Sequence, residues 1–494
     1  MLSRSLWVRE FRLGLQPAFD RAFCRISCGC AVTPPLRRVL TVTNCAALVI
    51  SNMIGTGIFT TTGFLAGDLG RPLLVIGIWV AGAIVALAGC LAYAELGMNI
   101  PRAGGEYAYL REAWGPGWGF LSGWVSFFAG FSAPIAATAL AFSAYLGHYF
   151  PALAANSVQH ANARWLHVGN AEWVSIGVIF FFALINTLGL HLAAKLQNFL
   201  TALKLAVIAA FLIAGFALGR GDWSHLQMAT TRSSPHGLGA QFAVSLIFVM
   251  FAYSGWNAAS YVAEEIKNPQ RTLPLALGLG TALVALLYVA LNVVFVYALP
   301  LGAMEGVVAV GAAASDSLFG TRIANFFGAA MAGALLSSIG AMSLVGPRVY
   351  YAMGRDRCFP AGAAEVHPRW GTPVKAIAYQ AVASALMVLT GTFEALIYYI
   401  GFSLILFAAL AVAGLLRLRG RPDFRRLRVV NWAYPAIPLT FVLVSAWMLI
   451  WTFALRPRES ILGLATILCG AIFYRWRLRG SAERLRQEKQ RAAG

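Results

Sequence analysis

The sequence predicts an all-α integral membrane fold of about twelve transmembrane helices, and three observations carry that expectation. Of 494 residues, 59% are hydrophobic and only 12% charged, with a mean hydropathy of +0.70, an apolar surplus suited to lipid rather than water. Apolar runs long enough to cross about 30 Å of hydrocarbon recur between short polar stretches. Runs such as 73–93 are almost continuously apolar, whereas barrel strands are about ten residues long and alternate apolar with polar.

Taken in order, the spans are expected near 40–66, 72–97, 117–150, 172–191, 193–218, 238–263, 274–300, 322–352, 373–391, 394–416, 433–452 and 459–474. An even number of spans puts both termini on one side. The formal net charge of +19 would suit a nucleic-acid partner, but 30 of the 38 Lys and Arg fall at the termini, in the even-numbered loops or at the span ends beside them. The opposite loops hold seven, and Lys204 lies inside a span. This asymmetry places both termini in the cytoplasm of a cell (inner or plasma) membrane. The bilayer accounts for the basic balance and no nucleic acid is needed.

Residues 1–38 hold seven arginines and two acids without a long apolar core, which argues against a cleaved secretory signal. They are read as a basic cytoplasmic tail, with a targeting peptide or a misassigned start as alternatives. Cys24, Cys28 and Cys30 lie there without a histidine partner or finger spacing, so free thiols are expected. No disulfide, metal or cofactor is expected. Residues 476–494 form a second basic tail.

Span 1 carries Ile54-Gly55-Thr56-Gly57-Ile58 near its middle. Mid-span glycine weakens a helix by about 1 kcal/mol relative to alanine. One reading is close helix packing through small residues; the other is an unwound hinge, whose free N–H groups and positive dipole end would hold an anion such as a carboxylate. Span 6 repeats the pattern at Tyr253-Ser254-Gly255-Trp256-Asn257. The two spans are five apart and run in opposite senses, so the breaks are related by inversion. Discontinuous helices at corresponding places in two inverted halves point to a midplane substrate site, because irregular backbone at membrane depth is tolerated where it lines a cavity.

The segments MIGTGIF, AELGMNIPRAGGEYAYLREAWGP and FAYSGWNAASYVAEEIKNPQRTLP resemble the APC superfamily, and within it the L-type amino-acid transporters and their bacterial relatives, over roughly residues 38–475. The resemblance implies a LeuT-type fold: a first five-helix repeat over 39–218, a second, inverted repeat over 238–418, and two additional helices over 430–475. It also implies sodium-independent secondary transport of amino acids, commonly by exchange. Carried over position by position, backbone amides of Ile54, Gly55, Thr56 and Gly57 would hold the substrate carboxylate. Carbonyls of Met53, Phe251, Ala252 and Ser254 would meet its ammonium, and Phe251 would act as an aromatic lid, with an ordinary core aromatic as the competing role. Ser254, Asn257 and parts of spans 3, 8 and 10 should shape a side-chain pocket. No acid is expected in it, which favours neutral amino acids.

Lys204 lies nine residues beyond Lys195, about 13 to 14 Å into the membrane at helical rise. A charge there costs at least about 2.5 kcal/mol and is a functional candidate by default; snorkelling to the headgroups is the alternative. Such a lysine could exchange a proton during the cycle or stand where sodium-coupled members of the fold hold sodium, and relatives carry a lysine at the matching place. Glu95, Glu106, Glu264 and Glu265 are expected in solvated salt bridges with Arg102, Arg111, Lys267 or Arg271. Ser337 and Ser338 are expected to bond to their own helix, with a remnant cation site as the alternative.

A proton symporter, a carrier of cationic amino acids or polyamines, and a transporter-like sensor are the competing functions. An enzyme is not expected, since the spans hold no paired carboxylates, histidine cluster or HExxH. The loop from about Pro151 to Ala171 has no cysteine, so no disulfide-linked heavy chain is expected.

Overall fold

The computed structural model describes residues 36–149, 158–159, 167–307, 310–390 and 393–478. The cysteine cluster at 24–30 and most of both tails lie outside them, as does most of the loop between the third and fourth spans.

Among the described residues the regular structure is helical apart from a two-residue hairpin, β1 (Val158–Gln159) against β2 (His167–Val168), and one isolated bridge. Among the described residues, nine helices are long and apolar enough to cross a membrane, and three further apolar helices are shorter, at Leu238–Tyr253, Val374–Thr390 and Ser460–Trp476. Together they follow the order of the expected spans.

Local sequence sets the helix ends. The first helix, α1 (Val42–Met53), opens on a capping box in which Thr41 and Asn44 bond reciprocally, satisfying two donors that helix geometry leaves orphaned. Then follow α2 (Gly57–Leu69), α3 (Pro72–Asn99), α4 (Glu106–Trp114) and α5 (Pro116–Val125). Prolines at the first position of α3 and α5 sit where the missing N–H and fixed φ do no harm. After α5 the third span continues as a π-helix (Ser126–Ser132) and α6 (Ala133–Tyr149). The fourth and fifth spans are α7 (Asn170–Thr187) and α8 (Leu190–Ala217).

The sixth span is α9 (Leu238–Tyr253), a turn at 254–257, and α10 (Ala258–Tyr261). The seventh is α11 (Pro269–Ala298), followed by the short α12 (Leu301–Met304) and α13 (Val310–Phe319). The eighth, α14 (Thr321–Val345), runs on into α15 (Pro347–Arg355). Beyond it lie α16 (Val374–Thr390), α17 (Phe393–Leu418), the one-turn α18 (Arg428–Trp432), α19 (Ala436–Leu455) and α20 (Pro457–Phe473).

The helices sort into an inner and an outer set. Within the most apolar stretch of each, 78% of residues are buried for Thr321–Arg355 but 28% for α8. Leu73, Phe181, Ile213, Leu286 and Ile450 stay more than half exposed, the pattern of side chains that face lipid. Inside, α11 packs on α3 and α1, and α14 packs on α6, α8 and α1. The broken first span is thereby enclosed by α8, α11 and α14.

Candidate functional site

Both sequence breaks are breaks in the structure. In span 1, α1 ends at Met53, α2 begins at Gly57, and residues 54–56 are non-helical. In span 6, Ser254 to Asn257 form a turn in which Gly255 has φ +98, a conformation that costs residues other than glycine. A Cβ on Gly255 would also stand 2.6 Å from Cβ and 2.8 Å from the backbone of Asn52. A Cβ on Gly57 would meet the Ala252 backbone at 2.7 Å, whereas one on Gly55 would find its nearest atom 3.9 Å away. The two sequence readings of these glycines therefore divide: Gly57 serves close packing, and Gly55 sits in the hinge. The two breaks touch each other through Asn52–Gly255 and Gly57–Ala252.

A broken helix leaves carbonyls without partners on one side and amides on the other. On the carbonyl side, Lys204 is buried, 1% exposed, and its Nζ donates to Ile54 O at 2.5 Å, Ser51 O at 3.3 Å and Ser338 Oγ at 2.9 Å. Ser338 Oγ donates in turn to Ile54 O at 2.8 Å. The ammonium thus caps the negative end of α1, a favourable place for a cation, and it does not snorkel. Ser337 Oγ lies 2.7 Å from Ser51 Oγ and accepts from Gln197 Nε2 at 3.1 Å. This corrects the expectation for both serines: the Ser338 hydroxyl serves the span 1 break and that of Ser337 ties α1 to α8, rather than either bonding to its own helix.

On the amide side, Ile54 N bonds to Ile50 O and Gly55 N to Met53 O. Two of the four amides expected to hold an anion are therefore already engaged. Thr56 and Gly57 keep theirs at the start of α2, and Ile58, which the sequence reading did not include, joins them in the unpaired first turn. Of the carbonyls expected to meet an ammonium, Met53 O and Ala252 O both accept from the Tyr288 hydroxyl, the latter at 3.0 Å, and Phe251 O accepts from Ser254 N at 2.9 Å. Tyr288, fully buried on α11, ties the two breaks together. Nothing in its apolar sequence context distinguishes it from a core aromatic.

Beside the crossing lies a cavity of about 90 Å³. Span 6 contributes Ser254, Gly255 and Asn257; Ser126, Gly130 and Phe131 come from the π-helix, and Met342, Leu404 and Ile405 from α14 and α17. Spans 3, 8 and 10 thus contribute as expected. Phe441 of α19 also lines it, a wall the sequence did not reveal. Gly55, Thr56, Gly57 and Phe251 are not among its lining residues; Phe251 is half-buried against the core.

The expectation of an acid-free pocket fails. Glu106 lines the cavity, is 4% exposed, and its Oε1 accepts from Tyr93 Oη at 2.7 Å and Asn257 Nδ2 at 2.9 Å. Burial pushes its carboxyl up to about 7, against the opposing pull of hydrogen bonds from Tyr93, Tyr261 and Asn257. No cation pairs with it among the described residues.

The other three acids are paired, though with partners the sequence did not suggest. Glu265 meets Arg348 through two 2.9 Å bonds and Glu95 meets Arg419 at 2.5 and 3.0 Å, both pairs buried rather than solvated, and Glu264 meets Arg355 at 2.8 Å. At the same end of the bundle Val39 N and Leu40 N donate to Glu265 O, and Lys267 N to Leu40 O, so the start of span 1 is stitched to the end of span 6.

Two interrupted helices that cross beside a cavity, within a bundle whose outer faces are apolar, define a polytopic membrane transporter. Residues 40–470 match the amino acid permease family, and the chain belongs to it: it is an amino-acid transporter of the APC superfamily, related to the L-type transporters. It is 28% identical over 446 residues to the human large neutral amino acids transporter small subunit 2, covering 89% of this chain and 80% of that one. To the serine/threonine exchanger of Bacillus subtilis it is 29% identical over 408 residues, 81% of this chain and 88% of that protein. To the mouse Asc-type amino acid transporter 1 it is 28% identical over 453 residues, 89% and 81% of the two chains.

Proposed function

We propose that the chain is a sodium-independent exchanger of neutral amino acids that works by alternating access about the breaks at 54–56 and 254–257, in a cell membrane with both termini cytoplasmic. Two five-helix repeats over 39–218 and 238–418 would move about these breaks, with the helices over 430–475 outside the repeat. The substrate carboxylate would bind the amides of Thr56, Gly57 and Ile58, where N–H groups and the α2 dipole favour an anion. The ammonium would meet carbonyls of Met53, Phe251, Ala252 and Ser254 through lone pairs left open, and Phe251 would swing over the bound zwitterion. The names of two of the relatives, one for large neutral amino acids and one for serine and threonine, fit a neutral substrate.

The observation that carries the reading is Lys204 Nζ on Ile54 O and Ser338 Oγ. A fixed ammonium there does what a bound sodium would do, neutralising the carbonyl end of the break without an ion from solution. No carboxylate pairs with Lys204 among the described residues, an observation that also favours proton symport, because an unpaired buried ammonium can hand its proton on. The loop from 151 to 171 offers no cysteine, so in this reading the chain would have no disulfide-linked partner there, although the human relative is named a small subunit.

The test is uptake of labelled neutral amino acids into liposomes holding the purified protein. Uptake that requires internal amino acid and ignores sodium and proton gradients supports exchange. Uptake driven by a proton gradient alone replaces exchange by symport, and no uptake of any neutral amino acid contradicts the substrate class.

A further inference from the structure

Asn257 lines the cavity, and its carboxamide is held from behind. Nδ2 donates to Glu106 Oε1 at 2.9 Å and to Tyr261 Oη at 3.2 Å, so both amide hydrogens are spent on the protein. A carboxylate oxygen only accepts, which fixes the Asn257 amide with nitrogen toward Glu106 and leaves Oδ1 without a donor among the described residues. Oε1 also takes the Tyr93 hydroxyl at 2.7 Å. A proton arriving on Glu106 would therefore go to Oε2 and leave this orientation unchanged. Tyr93, Tyr261 and Glu106 are all buried, so the arrangement is rigid, and around Glu106 it is built from neutral donors rather than a counter-cation.

From this geometry we infer that Glu106 is a positioning residue for substrate selection: acting through Asn257, it presents Oδ1 to the cavity as an acceptor and favours amino acids whose side chain carries a hydrogen-bond donor, above all a hydroxyl. The inference rests on the cavity being the substrate side-chain site. Threonine and valine are nearly isosteric, and only threonine can donate to Oδ1. One neutral hydrogen bond is worth about fivefold in affinity.

The experiment measures kcat/KM for threonine, valine, serine and alanine in exchange by the full chain in liposomes, for the wild type, Glu106→Leu, Glu106→Gln and Tyr261→Phe. The wild type is expected to prefer threonine over valine, and serine over alanine, by about fivefold. E106L brings both ratios close to one. E106Q, whose carbonyl oxygen can still accept from Asn257, retains them. Y261F frees one amide hydrogen and lowers the ratios part of the way, and it reports on the same device should E106L not fold. Rates that fall together in E106L and Y261F at unchanged ratios would make Glu106 a scaffold residue and overturn the inference, as would equal use of threonine and valine by the wild type. Loss of uptake for all four substrates in the wild type would instead overturn the transport reading beneath it.

Discussion

The two helix breaks answer the same physical problem in opposite ways. In span 1 the carbonyls left by the end of α1 are neutralised by a charge from a distant helix, Lys204, with Ser338 as its relay. In span 6 the turn is held by its own glycine at φ +98 and by short backbone bonds, Ser254 N to Phe251 O and Ala258 N to Gly255 O, while the side-chain network of Glu106, Asn257 and Tyr261 is neutral apart from the acid itself. A break pinned by an outside cation can be released by moving or deprotonating that cation. A break pinned by its own backbone geometry cannot. Under the proposed alternating access, span 1 would therefore be the half that moves more readily and span 6 the stiffer one; Tyr288 bonds to both.

Glycine substitutions separate the two most sharply. Gly255→Ala adds a side chain at positive φ and 2.6 Å from Asn52, at a cost of about 2 kcal/mol or more, so the folded yield after detergent extraction should collapse. Gly55→Ala meets nothing closer than 3.9 Å and should fold normally, with any loss confined to transport. Equal tolerance of both substitutions would erase the distinction.

Next in size is Lys204→Met. It removes the Lys204 donor from Ser51 O and one of two donors from Ile54 O, which keeps Ser338 Oγ; an acceptor left unpaired costs about 1 to 3 kcal/mol, so exchange should fall about tenfold or more while the protein still extracts as a single species. Tyr288→Phe follows: one hydroxyl serves two carbonyls, and a stability lowered by about 1 to 2 kcal/mol is expected, read as a lower midpoint of thermal denaturation in detergent. Normal stability there would mean that the tie between the breaks is cosmetic.

The smallest effect is on pH. Because burial raises the Glu106 carboxyl to about 7, it is mostly protonated at pH 6 and mostly ionised at pH 8. Glu106→Gln mimics the protonated form, so its transport rate should match the wild type at pH 6 and diverge at pH 8, while the threonine-to-valine ratio, which a proton on Oε2 leaves alone, should be the same at both. A difference that is the same at both pH values would mean that Glu106 does not titrate in this range.

Much of this was readable from the residues. Glycine, serine and threonine in the middle of apolar runs exposed both breaks through lost helix propensity, and Lys204 was conspicuous as a charge among aliphatic side chains. What stayed hidden depended on contacts across long stretches of chain. Glu106 sits in a polar stretch between spans and reads as a surface acid, yet it meets Asn257 151 residues away. Arg348 and Arg419 find Glu265 and Glu95 across 83 and 324 residues, so the nearby arginines were the natural but wrong partners. The π-helix at 126–132 has no composition signal of its own. Ile54 and Gly55 read as free amides because they lie in the expected break, whereas which residues keep their hydrogen bonds depends on where α1 ends.

The central claim is that span 1 holds a zwitterion at its break while Lys204 caps the opposite side. A structure of the protein with a bound neutral amino acid tests it most directly. The account predicts the carboxylate within hydrogen-bond distance of the Thr56, Gly57 and Ile58 amides, with Lys204 Nζ still on Ile54 O and not on the ligand. A carboxylate bound by Lys204 itself, or a ligand held away from the start of α2, would contradict it.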